Sequence, residues 1–167
     1  MAVNNQQPQV KSGSEGDFPE PQHRLSIFEL GGKQFGMDIS SIREVVPLPG
    51  FTPLPNSNEV YLGVFNLRGE IFPIVDISTI LGLAPKEVWS DDMVILIEHE
   101  EIVIGALVDK IYSMSTYTPS GVKLPREIIP QAILPFVKGV VEKNNQLVYI
   151  LDAAQLLRHE KILEHYY

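Results

Sequence analysis

The chain has 167 residues, 44% of them apolar and 20% charged, and 21 acidic against 13 basic residues give a net charge of −8. That length and composition suit one or two small domains with a real core, and the acidic balance repels phosphate backbones and anionic lipid, which argues against nucleic-acid binding. Cysteine is absent, which excludes disulfides, thiolate metal sites and thiol nucleophiles; the longest apolar run, Ile102 to Val108, falls far short of the roughly 18 residues of a membrane span, and Met1 is not followed by a basic-then-apolar secretion signal.

Residues 1–23 are rich in Gln, Asn, Pro, Gly, Ser and acid and predict a disordered tail. Arg24 to Leu30 and Gln34 to Ile39 read as a hairpin turning at Gly31-Gly32-Lys33. Ser41 and Glu44 have capping-box spacing, which predicts a helical turn with Ile42, Val45 and Val46 on one face. Pro47, Pro49, Pro53 and Pro55 then forbid regular sheet bonding and predict a stiff connector. A second hairpin follows, Tyr61 to Leu67 and Ile71 to Val75, with Gly69 supplying the positive φ of a tight turn. Pro73 lacks a donor, so its strand must lie at an edge or present Pro73 at a non-bonding position. Asp76 is placed to cap a short apolar turn, Ile77 to Leu81.

The polar link Leu83 to Asp92 holds the only tryptophan, Trp89, and divides the chain into halves of about 24–90 and 91–167. Met93 to Ile97 and Ile102 to Val108 read as strands, followed by Asp109, a segment from Ile111 to Thr116 and a Pro-rich crossover from Thr118 to Pro135. After another hairpin, Asp152 caps the longest helix, striped by Leu156, Leu157, Ile162 and Leu163.

Shifting the chain by 76 positions lays LGVFNLRGEIFPIVDISTIL over KGVVEKNNQLVYILDAAQLL without a gap. Gly63 falls on Gly139, Ile74 on Ile150 and Asp76 on Asp152, while Asn144-Asn145 replaces Arg68-Gly69 with residues that tolerate left-handed backbone. A weaker match pairs Phe35-Gly36-Met37 with Ile104-Gly105-Ala106. Two related halves of short strands with little helix predict two small antiparallel β-barrels packed on one another.

Catalytic patterns are missing. The six-residue gap between His159 and His165 does not place two ligands on one helix face, and His99 with its neighbouring glutamates reads as a solvated hairpin tip, so no metal or cofactor is expected. Neither a phosphate loop nor a Ser/His/Asp order occurs. Arg68 is either a solvated arginine at a hairpin tip or a planar, multi-donor anchor for a partner's carboxylate or backbone.

At Asn66-Leu67-Arg68-Gly69, followed by Pro73-Ile74-Val75-Asp76, the chain resembles the CheW family, adaptors of bacterial chemotaxis arrays. The resemblance runs from Leu25 to Leu157 and takes in Phe35-Gly36-Met37-Asp38-Ile39, Ile42-Arg43-Glu44-Val45, Val108-Asp109 with Ile111, and Gly139 onward. It implies a mainly β protein of two SH3-like, five-stranded antiparallel barrels with a C-terminal helix. It also implies a cytoplasmic location at receptor arrays and no catalysis. The implied partners are a chemoreceptor's cytoplasmic tip and the regulatory domain of a CheA-type histidine kinase. By position, Glu44 and Arg68 would face a partner on the first barrel. Ile42, Val45, Val108, Ile111 and Met114 would line or flank the groove between barrels, with Gly139 near it; for Val108 and Ile111 the competing role is core. Lys110 stands where the family often has a small residue. Two rivals are a single-stranded nucleic-acid-binding barrel, disfavoured by the charge, and a small-ligand enzyme, which would need a pocket of convergent polar groups.

Overall fold

The apolar runs pair as strands because most of them are buried on both faces, so strict alternation of apolar and polar residues gives way to continuous Val, Ile, Leu and Phe. The computed structural model describes residues 18–164. Its strands are β1 (His23–Leu30), β2 (Lys33–Asp38), β3 (Ile42–Pro47), β4 (Tyr61–Leu67), β5 (Glu70–Val75), β6 (Met93–His99), β7 (Ile102–Val108), β8 (Lys110–Ile111), β9 (Ser115–Tyr117), β10 (Val137–Lys143) and β11 (Gln146–Leu151). They are followed by two short helices, α1 (Ala153–Leu157) and α2 (Glu160–Leu163).

The strands form two sheets and the fold is mainly β, two small barrels packed together. One sheet has the order β3-β6-β7-β5-β4; the other runs β10-β11-β2-β1-β8, with β9 also pairing with β1. The duplication is visible in the pairing. Hairpin β4-β5 and hairpin β10-β11 carry the same irregularity, between Tyr61 and Gly63 and between Val137 and Gly139. Each then joins a second hairpin through one parallel pair, Ile74 opposite Gly105 and Ile150 opposite Gly36. The weak upstream match of Gly36 with Gly105 therefore marks structurally equivalent positions.

Three expectations are corrected here. The sheets are antiparallel except for that one parallel joint in each. Nor do the barrels divide the chain near residue 90. β3 leaves the β1-β2 hairpin to pair with β6, and β8 and β9 leave the β6-β7 hairpin to pair with β1. One barrel is thus built from residues 42–108, and the other flanks it in sequence. The Ser41–Glu44 segment is not a helical turn. Asp38 caps a short 3₁₀ turn at Ile39–Ser41 by accepting the Ser40 N–H at 2.9 Å, and Ile42 already begins strand β3, whose pairing with β6 outweighs the local signal.

Further details follow from single residues. The expected long C-terminal helix breaks at His159, which has extended backbone and whose Nδ1 accepts the Lys161 N–H to start α2. Asp152 caps α1 through the Gln155 N–H, as expected. Asp76 accepts the N–H groups of Ser78 and Lys86 and caps a turn rather than a helix. Pro73 lies in an interior strand at a non-bonding position, because the N–H and C=O of the opposite residue, Val64, both bond Thr52 at 2.8 Å and so face away from β5. Most of the predicted tail, and Tyr166-Tyr167, lie outside the described residues; residues 18–22 are described, and Glu20 accepts the Ser120 N–H at 2.8 Å.

Alternate residues divide the core into three. Phe65, Phe72, Ile74, Val94, Leu96, Val103 and Leu107 fill one barrel. Leu25, Ile27, Tyr117, Val141, Val148 and Ile150 fill the other. The opposite faces of the same strands, with Phe28, Phe35, Met37, Ile95, Ile97, Ile104 and Tyr149 among them, meet between the barrels, where α1 and α2 add Leu156, Leu157 and Ile162.

The two repeats also share a tight crossing. Each Pro-rich connector bridges the first strand of the hairpin after it, at Thr52–Val64 and at Lys123–Val140. A Cβ on Gly63 would lie 2.5 Å from the Thr52 carbonyl oxygen, and one on Gly139, where φ is +151°, 2.3 Å from that of Lys123. Gly63→Ala and Gly139→Ala are each expected to lower stability in urea unfolding by about 2–4 kcal/mol, whereas Gly32→Ala meets no neighbouring atom and should cost less.

Candidate functional site

The turn between β4 and β5 has positive φ at both central residues, +52° at Arg68 and +88° at Gly69. Asn66 Oδ1 accepts the Gly69 N–H at 3.0 Å and holds the turn. The matching turn between β10 and β11 uses Asn144 and Asn145 at +50° and +60°. Glycine and asparagine suit this backbone; arginine does not, because its Cβ crowds the following carbonyl.

Arg68 reaches across to β3 and donates to both oxygens of Glu44, each at 2.7 Å. Next to Glu44, Arg43 donates through Nε and Nη2 to Glu98 on β6, at 3.1 and 2.9 Å, and through Nη1 to Glu70 at 3.1 Å. Its guanidinium also lies 5.5 Å from the centre of the Phe72 ring. Ile71, on the same hairpin, is 61% exposed. This end of the contiguous barrel therefore carries two arginines, three glutamates and an exposed aliphatic side chain.

The charges tune one another. The hydrogen bond from Arg68 holds the Glu44 carboxyl below its ordinary range, and that from Arg43 does the same for Glu98. Both arginines are held correspondingly above theirs. Solvent screens such pairs, so they contribute little to stability and are free to exchange partners. The array is suited to bidentate recognition of a partner's charged groups.

The other sequence-predicted residues do not converge on this rim. Ile42, Val45 and Ile111 are half-buried and pack against the core between the barrels. Val108 is fully buried in that core and offers no surface, so of its two expected roles the structure gives it the packing one. Met114 is 49% exposed and lines a separate hollow of about 270 Å³ with Ile27, Tyr112 and Lys143. Gly139 is buried beneath Lys123, where its lack of a side chain serves packing.

Sequence reasoning did not find Arg43, Glu70 and Glu98 as a group; Arg43 meets Glu98 through the pairing of β3 with β6, and Glu70 reaches Arg43 from the start of β5. It also missed Lys86, whose side chain is 3% exposed. Lys86 Nζ contacts Asp92 at 2.9 Å and Asp109 at 2.7 Å, while the second Asp109 oxygen accepts the Gly31 N–H. Burial pushes the Lys86 ammonium down, but the two carboxylates outweigh it and hold its pKa above the usual lysine value.

A further hollow of about 430 Å³ is lined by His23, Asp38, Tyr117 and Lys138. Burial pushes the Asp38 carboxyl up, yet bonds from Ser40 and Tyr117 outweigh it and leave it below its ordinary value. The Tyr117 hydroxyl is pushed up to about 12 by burial and by Asp38. Among the described residues no group of three or more His, Cys, Asp or Glu could hold a metal ion, and no helix is long and apolar enough to cross a membrane.

Residues 24–161 match the family model described as the CheW-like domain. The chain belongs to that family. Among its relatives is the probable chemotaxis protein CheW of Rhizobium etli, 29% identical over 147 residues, which cover 88% of this chain and 92% of that protein. The chemotaxis protein CheW of Treponema pallidum is 25% identical over 86% of both chains. Protein PilI of Pseudomonas aeruginosa is 26% identical over 82% of this chain and 76% of its own. The crystal structure of the scaffolding protein TtCheW from Thermoanaerobacter tengcongensis superposes with a TM-score of 0.74 at 23% identity, covering 84% of this chain and 96% of that one, and so shares the fold. On this CheW-like scaffold the repeat pairs Arg68 with Asn144 and Glu70 with Gln146, so the two equivalent turns differ in charge.

Replacing Arg68 by Asn, the residue of the matching turn, removes an arginine from left-handed backbone and only a surface ion pair; the thermal midpoint should stay at or above that of the parent protein. Lys86→Met leaves Asp92, 3% exposed, without its cation, and should lower stability by about 3 kcal/mol in urea unfolding. Because the folded Lys86 pKa is raised, its contribution is fully present below the unfolded lysine value of about 10.4 and disappears as pH rises through the folded value. Alkaline titration of stability should show that loss in the parent and not in Lys86→Met.

Proposed function

We propose that this chain is a non-enzymatic, cytoplasmic adaptor that couples the cytoplasmic tip of a chemoreceptor to the regulatory domain of a CheA-type histidine kinase. The observation that carries this reading is the conjunction of membership in the CheW-like family with a strained Arg68 that grips Glu44 on an exposed barrel rim. The turn itself does not require arginine, since the same turn is made elsewhere in the chain by two asparagines.

In this reading the rim of Arg43, Glu44, Arg68 and Ile71 meets a partner's barrel, and the half-buried Ile42, Val45 and Ile111, with the exposed Met114, offer apolar contacts to a receptor's helical hairpin. A scaffold of this kind transmits a change only if the receptor and kinase states bind it with different free energies. Its contacts belong near or below the standard interface size of roughly 1,200–2,000 Å², with a few anchors setting affinity.

Pull-down of a receptor-tip fragment and a kinase regulatory domain tests this directly. Arg68→Ala and Arg68→Asn are expected to fold and yet to lose most of the ternary complex. Recovery of both partners at parental levels by the folded variants would remove Arg68 from the site, and failure of the parent chain to bind either partner would remove the adaptor reading itself.

A further inference from the structure

The link between β5 and β6 presents Trp89, the only tryptophan of the chain, with 58% of its surface exposed. An indole of that size in water is unusual unless it meets something, and the backbone that carries it is held in place. The Trp89 backbone N–H donates to Asp92 Oδ2 at 2.7 Å, and the Asp92 N–H returns to the Trp89 carbonyl at 3.1 Å. Asp92 is itself anchored by the buried Lys86.

Beside the indole lies a hollow of about 220 Å³ whose walls include Ser78, Leu83, Lys86, Glu87, Trp89 and Asp109. Lys86 gives it no free positive charge. Its side chain is 3% exposed, and its ammonium contacts three acceptors, Asp92, Asp109 and the Glu87 carbonyl. The charge left over is negative, because Asp92 and Asp109 share one lysine and the exposed Glu87 adds a further carboxylate. Ser78, 1% exposed, forms part of the wall, and its hydroxyl oxygen has no hydrogen-bond partner. The hollow thus combines an aromatic side chain with carboxylates.

We propose that this hollow is a docking site for an arginine side chain of a partner protein. A guanidinium is planar and stacks on an indole, while its fork of N–H donors suits carboxylate acceptors. A partner carboxylate would meet Glu87 and Asp109 with no unspent cation to receive it. A purely apolar side chain would desolvate the Glu87 and Asp109 carboxylates without giving them a partner. The site lies on the Leu83 to Asp92 link, outside the barrel rim assigned above to the adaptor role, and it does not depend on that role.

The single tryptophan makes the test direct on the intact chain, with neither receptor nor kinase present. Titration with N-acetyl-arginine N-methylamide is expected to give a saturable change in Trp89 emission, absent with the uncharged isostere N-acetyl-citrulline N-methylamide. The exposed Glu87→Gln variant should raise the half-saturating concentration about three- to tenfold with an unchanged thermal midpoint. A response that rises linearly without saturation, one equal for arginine and citrulline, or one indifferent to Glu87→Gln would each overturn the proposal.

Discussion

The apolar seam between the two barrels is the constraint on which the rest of the structure depends. Each barrel is too small to enclose much of its own, and strands β1, β5, β6, β7 and β11 send alternate residues into the barrel interior and into the seam. Each fully buried Ile, Leu or Phe contributes about 1.5–3 kcal/mol relative to exposure, and most of the largest buried side chains lie in the seam. Exchange of β3 for β8 and β9 locks the arrangement, because neither barrel is complete without a strand that continues from the other's hairpin. A molecule built this way is stiff, and it has its outer surface left for contacts with other proteins.

Polar chemistry is accordingly pushed to the edges. Apart from the Lys86 cluster and the buried Asp38 beside His23 and Tyr117, the charged pairs of Arg43, Arg68 and Arg158 are solvated and exchangeable. The Arg68 turn carries an energetic cost in its backbone without a return in packing, as does the exposed Glu100 at the tip between β6 and β7. Lys86 shows the opposite logic. It is charged, nearly inaccessible and surrounded by acceptors, and it ties the link of residues 83–92 to the start of β6 and to the β7–β8 junction.

Duplication has kept what folding needs and let the exposed tips diverge. The left-handed turns, the bulge, the crossing over Gly63 and Gly139 and the aspartates after each hairpin are the same in both repeats. The side chains at the exposed tips are not: Arg68 and Glu70 stand at one end, Asn144 and Gln146 at the other. One geometry thus presents two chemically distinct ends, which suits a molecule that holds different neighbours at once.

The sequence by itself determined the hairpins, their turns, the repeat, the caps at Asp76 and Asp152 and the family, because each of these is written in neighbouring residues: β-branched runs, residues that tolerate positive φ, and side chains that reach nearby N–H groups. Ser41–Glu44 misled for the same reason, since its local helical signal is weaker than the ladder β3 forms with β6. Only the tertiary structure decided which barrel each strand joins, that Val108 and Gly139 are packing residues, and that Arg43 meets Glu98 and Lys86 meets Asp109 across the chain. Those outcomes depend on burial and on contacts between distant segments, and such contacts exist only once the seam has closed.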